Sequence, residues 1–187
     1  MNNHDNFSVN FSLKGFTSIL IGLYFLLASY IIKTMLYGFL IDDNTMGMMS
    51  AEIIEFLIIS IAFFLFLFSS LALFFKGRRS AKKFHYKLWN GKTKSAFGKF
   101  ILFIVIIFTT LIILMNFGQI DFITPIFLIL YGLMLFFFIN KTRKNLLILA
   151  GLCVFLAIIC YLIPTYWYSS FVILGIAHLT YGVVVRN

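Results

Sequence analysis

Charge is what this sequence has least of. Only 11% of its 187 residues are charged, and six acids face fifteen Lys and Arg. Soluble globular chains carry about 25% charged residues, so a fully hydrated surface is excluded for much of this one. Cysteines number two and prolines two. Cys153 and Cys160 stand seven apart in one apolar block, on one helix face and too distant to bridge, so they read as reduced packing residues. Chemical signatures are missing as well. The chain contains no phosphate-binding GxxxxGK[ST] loop, no CxxC, no HExxH and no GxSxG. No cofactor, no metal and no catalytic constellation is therefore expected. A cleavable leader is not expected either. The first apolar block follows Lys14, runs longer than a signal-peptide core and is followed by no small-x-small site.

What is present is apolar bulk. Hydrophobic residues make up 62% of the chain, and the mean hydropathy is +1.04. Surface on that scale cannot be enclosed in one soluble core of this size, so the lipid bilayer is the first expected partner. The richness in Phe, Ile, Asn and Lys, with few prolines, points to an AT-rich bacterial genome and hence to the cytoplasmic (inner) membrane of a bacterium.

Six apolar blocks stand out, over 16–40, 53–75, 100–117, 122–139, 146–163 and 167–185. Each approaches the ~20 helical residues that cross a bilayer core. Spanning strands would be about half as long and alternate in polarity, whereas these blocks are apolar on every side. The expected fold is an all-α membrane protein with six transmembrane helices, preceded by a tail over 1–15.

The connections assign the sides. Residues 76–99 hold nine Lys or Arg and no acid; Lys141, Arg143 and Lys144 lie between the fourth and fifth blocks, with Lys14 before the first and Arg186 after the last. Fourteen of the fifteen basic residues thus share one side. Asp42, Asp43, Glu52, Glu55 and Asp121 fall on the other. The positive-inside rule then places both termini in the cytoplasm. Tyr166, Trp167 and Tyr168 fit an aromatic belt at the outer interface.

Within the basic loop 76–99, Ala81, Phe84 and Leu88 recur at helical spacing, with Lys82, Lys83 and Lys87 turned elsewhere and Trp89 as an interfacial ring. One reading is a topology determinant with snorkelling lysines. The other is a surface, including Arg78 and Arg79, for anionic lipid or for a membrane protein partner. The net charge of +9 is explained by topology, so nucleic acid is not an expected partner.

Tight turns at Gly118 and at 140–145 divide the blocks into three antiparallel hairpins, over 16–75, 100–140 and 145–185. The second and third are faintly alike. Lys99 and Lys144 open them 45 residues apart, and Gln119 and Pro164 follow at the same offset.

Ionisable groups at membrane depth are functional candidates because they are costly to keep there. Lys33, near the outer end of the first block, either snorkels to the headgroups or reaches Asp42, Asp43 or Glu52. His178 lies roughly 12 Å from the inner end of the last helix, and Tyr181 shares its face. That pair reads either as neutral polar glue between helices or as a proton relay. Glu52 and Glu55 suit a helix N-terminus capped by Ser50; with Asp121 they form a candidate outer acidic cluster. Gly175 and Gly182, seven apart, and Gly132 and Gly151 in neighbouring spans read as sites of close helix approach.

The plan of some 190 residues in three antiparallel hairpins, with Pro164 followed by Gly175 and Gly182, resembles the HdeD-like family of bacterial inner-membrane proteins. The second hairpin departs from that pattern, since Pro125 lies only seven residues before Gly132, and the first lacks the proline. The resemblance implies a role in acid resistance and supplies no catalytic residues. The leading functional expectation is a non-enzymatic accessory, stress-related or partner-binding bundle. The alternative is a small transporter or channel, in a homo-oligomer, lined by His178, Tyr181 and Lys33.

Overall fold

Every backbone N–H and C=O within a bilayer must find its partner inside the protein, which favours helices for apolar blocks of this length. The computed structural model is all-helical among the residues it describes, namely 13, 15–40, 50–83, 89, 91–137 and 146–185. Six α-helices follow in order: α1 (Phe16–Leu40), α2 (Ala51–Lys83), α3 (Gly91–Asn116), α4 (Ile123–Phe137), α5 (Leu146–Leu162) and α6 (Trp167–Val184). Short 3-10 turns, Ile120–Phe122 and Pro164–Tyr166, precede α4 and α6. Four helices (α1, α2, α3 and α6) are long and apolar enough to cross a membrane, and α4 and α5 are shorter apolar helices. Outward-facing positions are apolar too. Ile101, Leu102, Val105, Ile106, Ile112 and Ile113 are all exposed on α3, a pattern suited to lipid and not to water.

The helix ends follow from local chemistry. The Gly15 carbonyl accepts the N–H groups of Ser18 and Ile19, and Gly15 itself takes φ 65°, which starts α1 without a side-chain clash. At the other end of α3, Gly118 adopts φ 67°. Its N–H donates to the Met115 carbonyl at 2.9 Å, and the Gln119 N–H donates to the Leu114 carbonyl at 3.0 Å. That pair of bonds is a Schellman motif, which stops the helix and turns the chain tightly. Pro125 sits in the first turn of α4, where a missing N–H costs nothing. Ile163, before Pro164, is extended at φ −133°, ψ 88°, and so ends α5.

The segment over 76–99 differs from the loop expected there. Residues 76–83 continue α2, and 91–99 form the first turns of α3. Lys, Arg, Ala and Ser interrupt hydropathy but are compatible with helix, so α2 runs on for 33 residues, roughly 50 Å at helical rise. Gly77, Ala81 and Thr93 are buried at this end, so it is packed. Trp89 meets Phe97 edge-on at 5.4 Å. Phe84, Lys87 and Leu88 lie outside the described residues.

Two helix pairs have the most extensive packing, α1 with α6 and α4 with α5. The pairs α1–α2, α3–α4 and α5–α6 also touch, less extensively. Glycine explains both dominant contacts. A Cβ at Gly22 would lie 2.6 Å from the Gly175 carbonyl oxygen, and one at Gly182 would lie 2.8 Å from that of Gly15. The two antiparallel backbones therefore touch directly along one seam. In α4, a Cβ at Gly132 would meet the Cys153 Cβ at 3.0 Å and the Ala150 carbonyl oxygen at 3.2 Å. Ala150, Cys153, Ala157 and Cys160 are all buried on α5, as expected for packing cysteines, and both cysteines are free. Gly151, by contrast, is exposed and opposes nothing.

Between lipid-solvated helices, close packing matters more than hydrophobic burial. Gly22→Val should therefore lower stability by about 1–3 kcal/mol through overpacking. Gly151→Ala should instead be neutral or stabilise by up to ~1 kcal/mol through helix propensity. Thermal unfolding of both variants in mild detergent measures the contrast.

Candidate functional site

The close approach of α1 and α6 carries two polar side chains into the interior. Ser18 of α1 and His178 of α6 are both fully buried, at 0% exposure. The Ser18 hydroxyl donates to the His178 carbonyl oxygen at 2.8 Å. Its Oγ also lies 3.3 Å from His178 Nδ1. On the far side of the ring, His178 Nε2 lies 2.9 Å from the Tyr131 hydroxyl of α4. Phe25 stacks on the imidazole at 5.7 Å, with the ring planes 7° apart.

Counting hydrogens assigns the roles. A serine hydroxyl has one hydrogen, and here it is directed at the carbonyl. Toward Nδ1, Ser18 therefore accepts, so Nδ1 carries the imidazole hydrogen. Nε2 is then bare and accepts from the Tyr131 O–H. This tautomer is assigned by the network, and it leaves a neutral ring satisfied at both nitrogens. The direction of donation also limits the chemistry. It runs from Tyr131 to His178 to Ser18 and stops at a backbone carbonyl, which cannot pass a proton on. The network joins α1, α4 and α6 without forming a through relay.

Sequence reasoning singled out His178 but paired it with Tyr181. Tyr181 is buried in the core, and a second tyrosine, Tyr131 of α4, hydrogen-bonds to the ring. Neither Tyr131 nor Ser18 was anticipated. They lie 47 and 160 residues away in sequence, and hydroxyls in apolar helices are too common to mark a site alone.

Lys33 is not brought to this site. It lies fifteen residues beyond Ser18 on α1, roughly 22 Å along the axis. Its side chain is exposed, with the ammonium 4.4 Å from the Tyr168 ring centroid, a cation–π contact. Lys33 and His178 therefore stand at different depths of the bundle, the one against Tyr168 and the other against Tyr131. Asp121 is exposed. The Ser50 carbonyl accepts the N–H groups of Ile53 and Ile54, which opens α2. The side chains of Glu52 and Glu55, and Asp42 and Asp43 entirely, lie outside the described residues. Arg78, Arg79, Lys82 and Lys83 are exposed on the last turns of α2. Among the described residues, no group of three or more His, Cys, Asp or Glu could hold a metal ion.

Two cavities lie near the rings that surround the buried histidine. One, of about 100 Å³, lies toward the basic end of the bundle between Phe74, Phe97 and Tyr131. The other, of about 330 Å³, lies toward the opposite end between Leu36, Asp121 and Pro164. Leu65 borders both. Between them stands a layer of rings. Tyr131 lies 5.4 Å from Phe25 and 6.0 Å from Phe66, and Phe66 lies 6.0 Å from Phe127. Further links tie the helices together, among them Cys160 Sγ to Ser170 Oγ at 2.9 Å across α5 and α6.

Comparison with protein-family models, with curated proteins and with solved structures finds no match.

The network makes a graded prediction. Tyr131→Phe leaves Nε2 without its donor and should destabilise by about 1–2 kcal/mol. His178→Ala also opens a cavity and should cost about 2–5 kcal/mol. Melting temperatures in detergent should follow that order; an unchanged melt for both variants would show that the bonds do not hold the bundle.

Proposed function

We propose that the chain is a six-span protein of the bacterial cytoplasmic membrane, both termini inside, acting without catalysis as an accessory, stress-related or partner-binding bundle. The observation that carries this reading is the closed hydrogen-bond network at His178. The most costly polar residue in the interior has both ring nitrogens engaged, and its network ends on a carbonyl. Such a group sets helix register and contact. In this reading α4 and α5 span as well as the longer helices, and the six pair in chain order as three hairpins. The exposed Arg78, Arg79, Lys82 and Lys83 then face the cytoplasm, where they meet anionic headgroups or a membrane protein partner.

Sidedness is testable with single cysteines. Thr165→Cys should react with a membrane-impermeant maleimide on intact spheroplasts. Arg79→Cys should react only after the membrane is permeabilised. The native Cys153 and Cys160 are buried and supply a low background. Reversed labelling would invert the topology.

A second reading, a small transporter or channel, is favoured by the two cavities that approach each other from opposite ends. Its pathway would cross the ring layer at Phe66 and Tyr131, with His178 behind it. Reconstitution into liposomes separates the two readings. The accessory role predicts solute and ion flux no greater than in empty vesicles. Transport predicts flux above that level, increased further by Phe66→Ala, which thins the ring layer.

A further inference from the structure

We propose that the larger cavity is a binding site for a lipophilic cation, a compact molecule with an apolar body and one positively charged head. The cavity measures about 330 Å³, roughly twice the ~150 Å³ that accommodates a benzene ring in an apolar protein interior. Its deep walls are aliphatic, from Ala28, Ile32, Ile59 and Leu111. Water has little to bond to there, and an apolar body fits. Three rings complete the lining, with Phe171 5.5 Å from Phe127 and 6.4 Å from Trp167.

The charge is placed where a head would emerge. Asp121, exposed, is the one ionisable residue lining the cavity among those described. No described basic residue lines it, and Lys33 is held instead over Tyr168. Aromatic rings and a carboxylate thus line one cavity, and each attracts an ammonium head, the rings by cation–π and the carboxylate by Coulomb attraction. The same carboxylate repels a phosphate, so an anionic lipid headgroup is disfavoured at this mouth. The site requires neither flux nor a protein partner, so it stands whichever functional reading holds.

Three ligands of nearly one shape isolate the charge: benzyltrimethylammonium, its neutral carbon isostere neopentylbenzene, and benzylsulfonate. The full chain in lipid nanodiscs, carrying Trp89→Phe, reports binding through Trp167 fluorescence. The cation should bind saturably and more tightly than the neutral isostere, and benzylsulfonate most weakly. Asp121→Asn should weaken the cation roughly five-fold, the scale of a partly exposed ion pair, and leave the neutral ligand unchanged. Added salt should weaken the cation alone. Ala62→Phe, which narrows the cavity, should weaken all three ligands while the melting temperature stays within a few degrees. Equal affinities for cation and isostere would overturn the proposal. So would an Asp121→Asn variant with a lower melting temperature and unaltered cation binding, because Asp121 would then serve only the turn before α4.

Discussion

Gly22 and Gly175 bring the backbones of α1 and α6 into direct contact, and the site depends on that seam. Without Cβ atoms at these positions and at Gly182, the helices can approach to a distance that larger side chains would forbid. Lipid supplies no hydrophobic force to press helices together, so the depth of the fit decides the association. The same approach sets Ser18 against His178 within hydrogen-bond reach. A looser seam would separate those groups and strand both in hydrocarbon, at a cost of several kcal/mol for each unpaired polar group. Packing and polar satisfaction are thus one constraint.

The polar network limits the ways the bundle can assemble. Apolar helices slide and rotate against one another with little penalty, since most registers bury similar side chains. His178 removes that freedom, because only one arrangement presents Ser18 to Nδ1 and Tyr131 to Nε2 together. Phe25 narrows the choice further by covering the ring face. Three helices distant in sequence are registered around a single imidazole. The ring layer beside it separates two cavities whose differing sizes and rims give the bundle distinct ends.

Much of this was legible in the sequence, and the exceptions have physical causes. The ends of α1, α5 and α6 fall within a residue or two of the apolar blocks, because apolar run and helix end together there. They diverge at the end of α2. Arg78, Arg79, Lys82 and Lys83 interrupt hydropathy without interrupting the helix, so hydropathy marked the edge of the apolar run and not that of the helix. His178 stood out because a polar ring is costly at depth. Its partners did not, since Tyr131 and Ser18 come from other helices and spacing within α6 pointed to Tyr181. Gly175 and Gly182 were readable as a packing face; Gly22 opposite them, and the outward turn of Gly151, depend on tertiary geometry.

The α1–α6 seam also dictates an order of events during synthesis. Ser18 and His178 are 160 residues apart, and translation proceeds at about 5–20 residues per second. For roughly ten to thirty seconds α1 waits in the membrane with its glycine face uncovered and its serine short of a partner. The seam closes only when α6 arrives, so a ribosome stalled before α6 leaves an incomplete product that presents a bare glycine groove. That groove is a bare backbone face that exists only until α6 covers it.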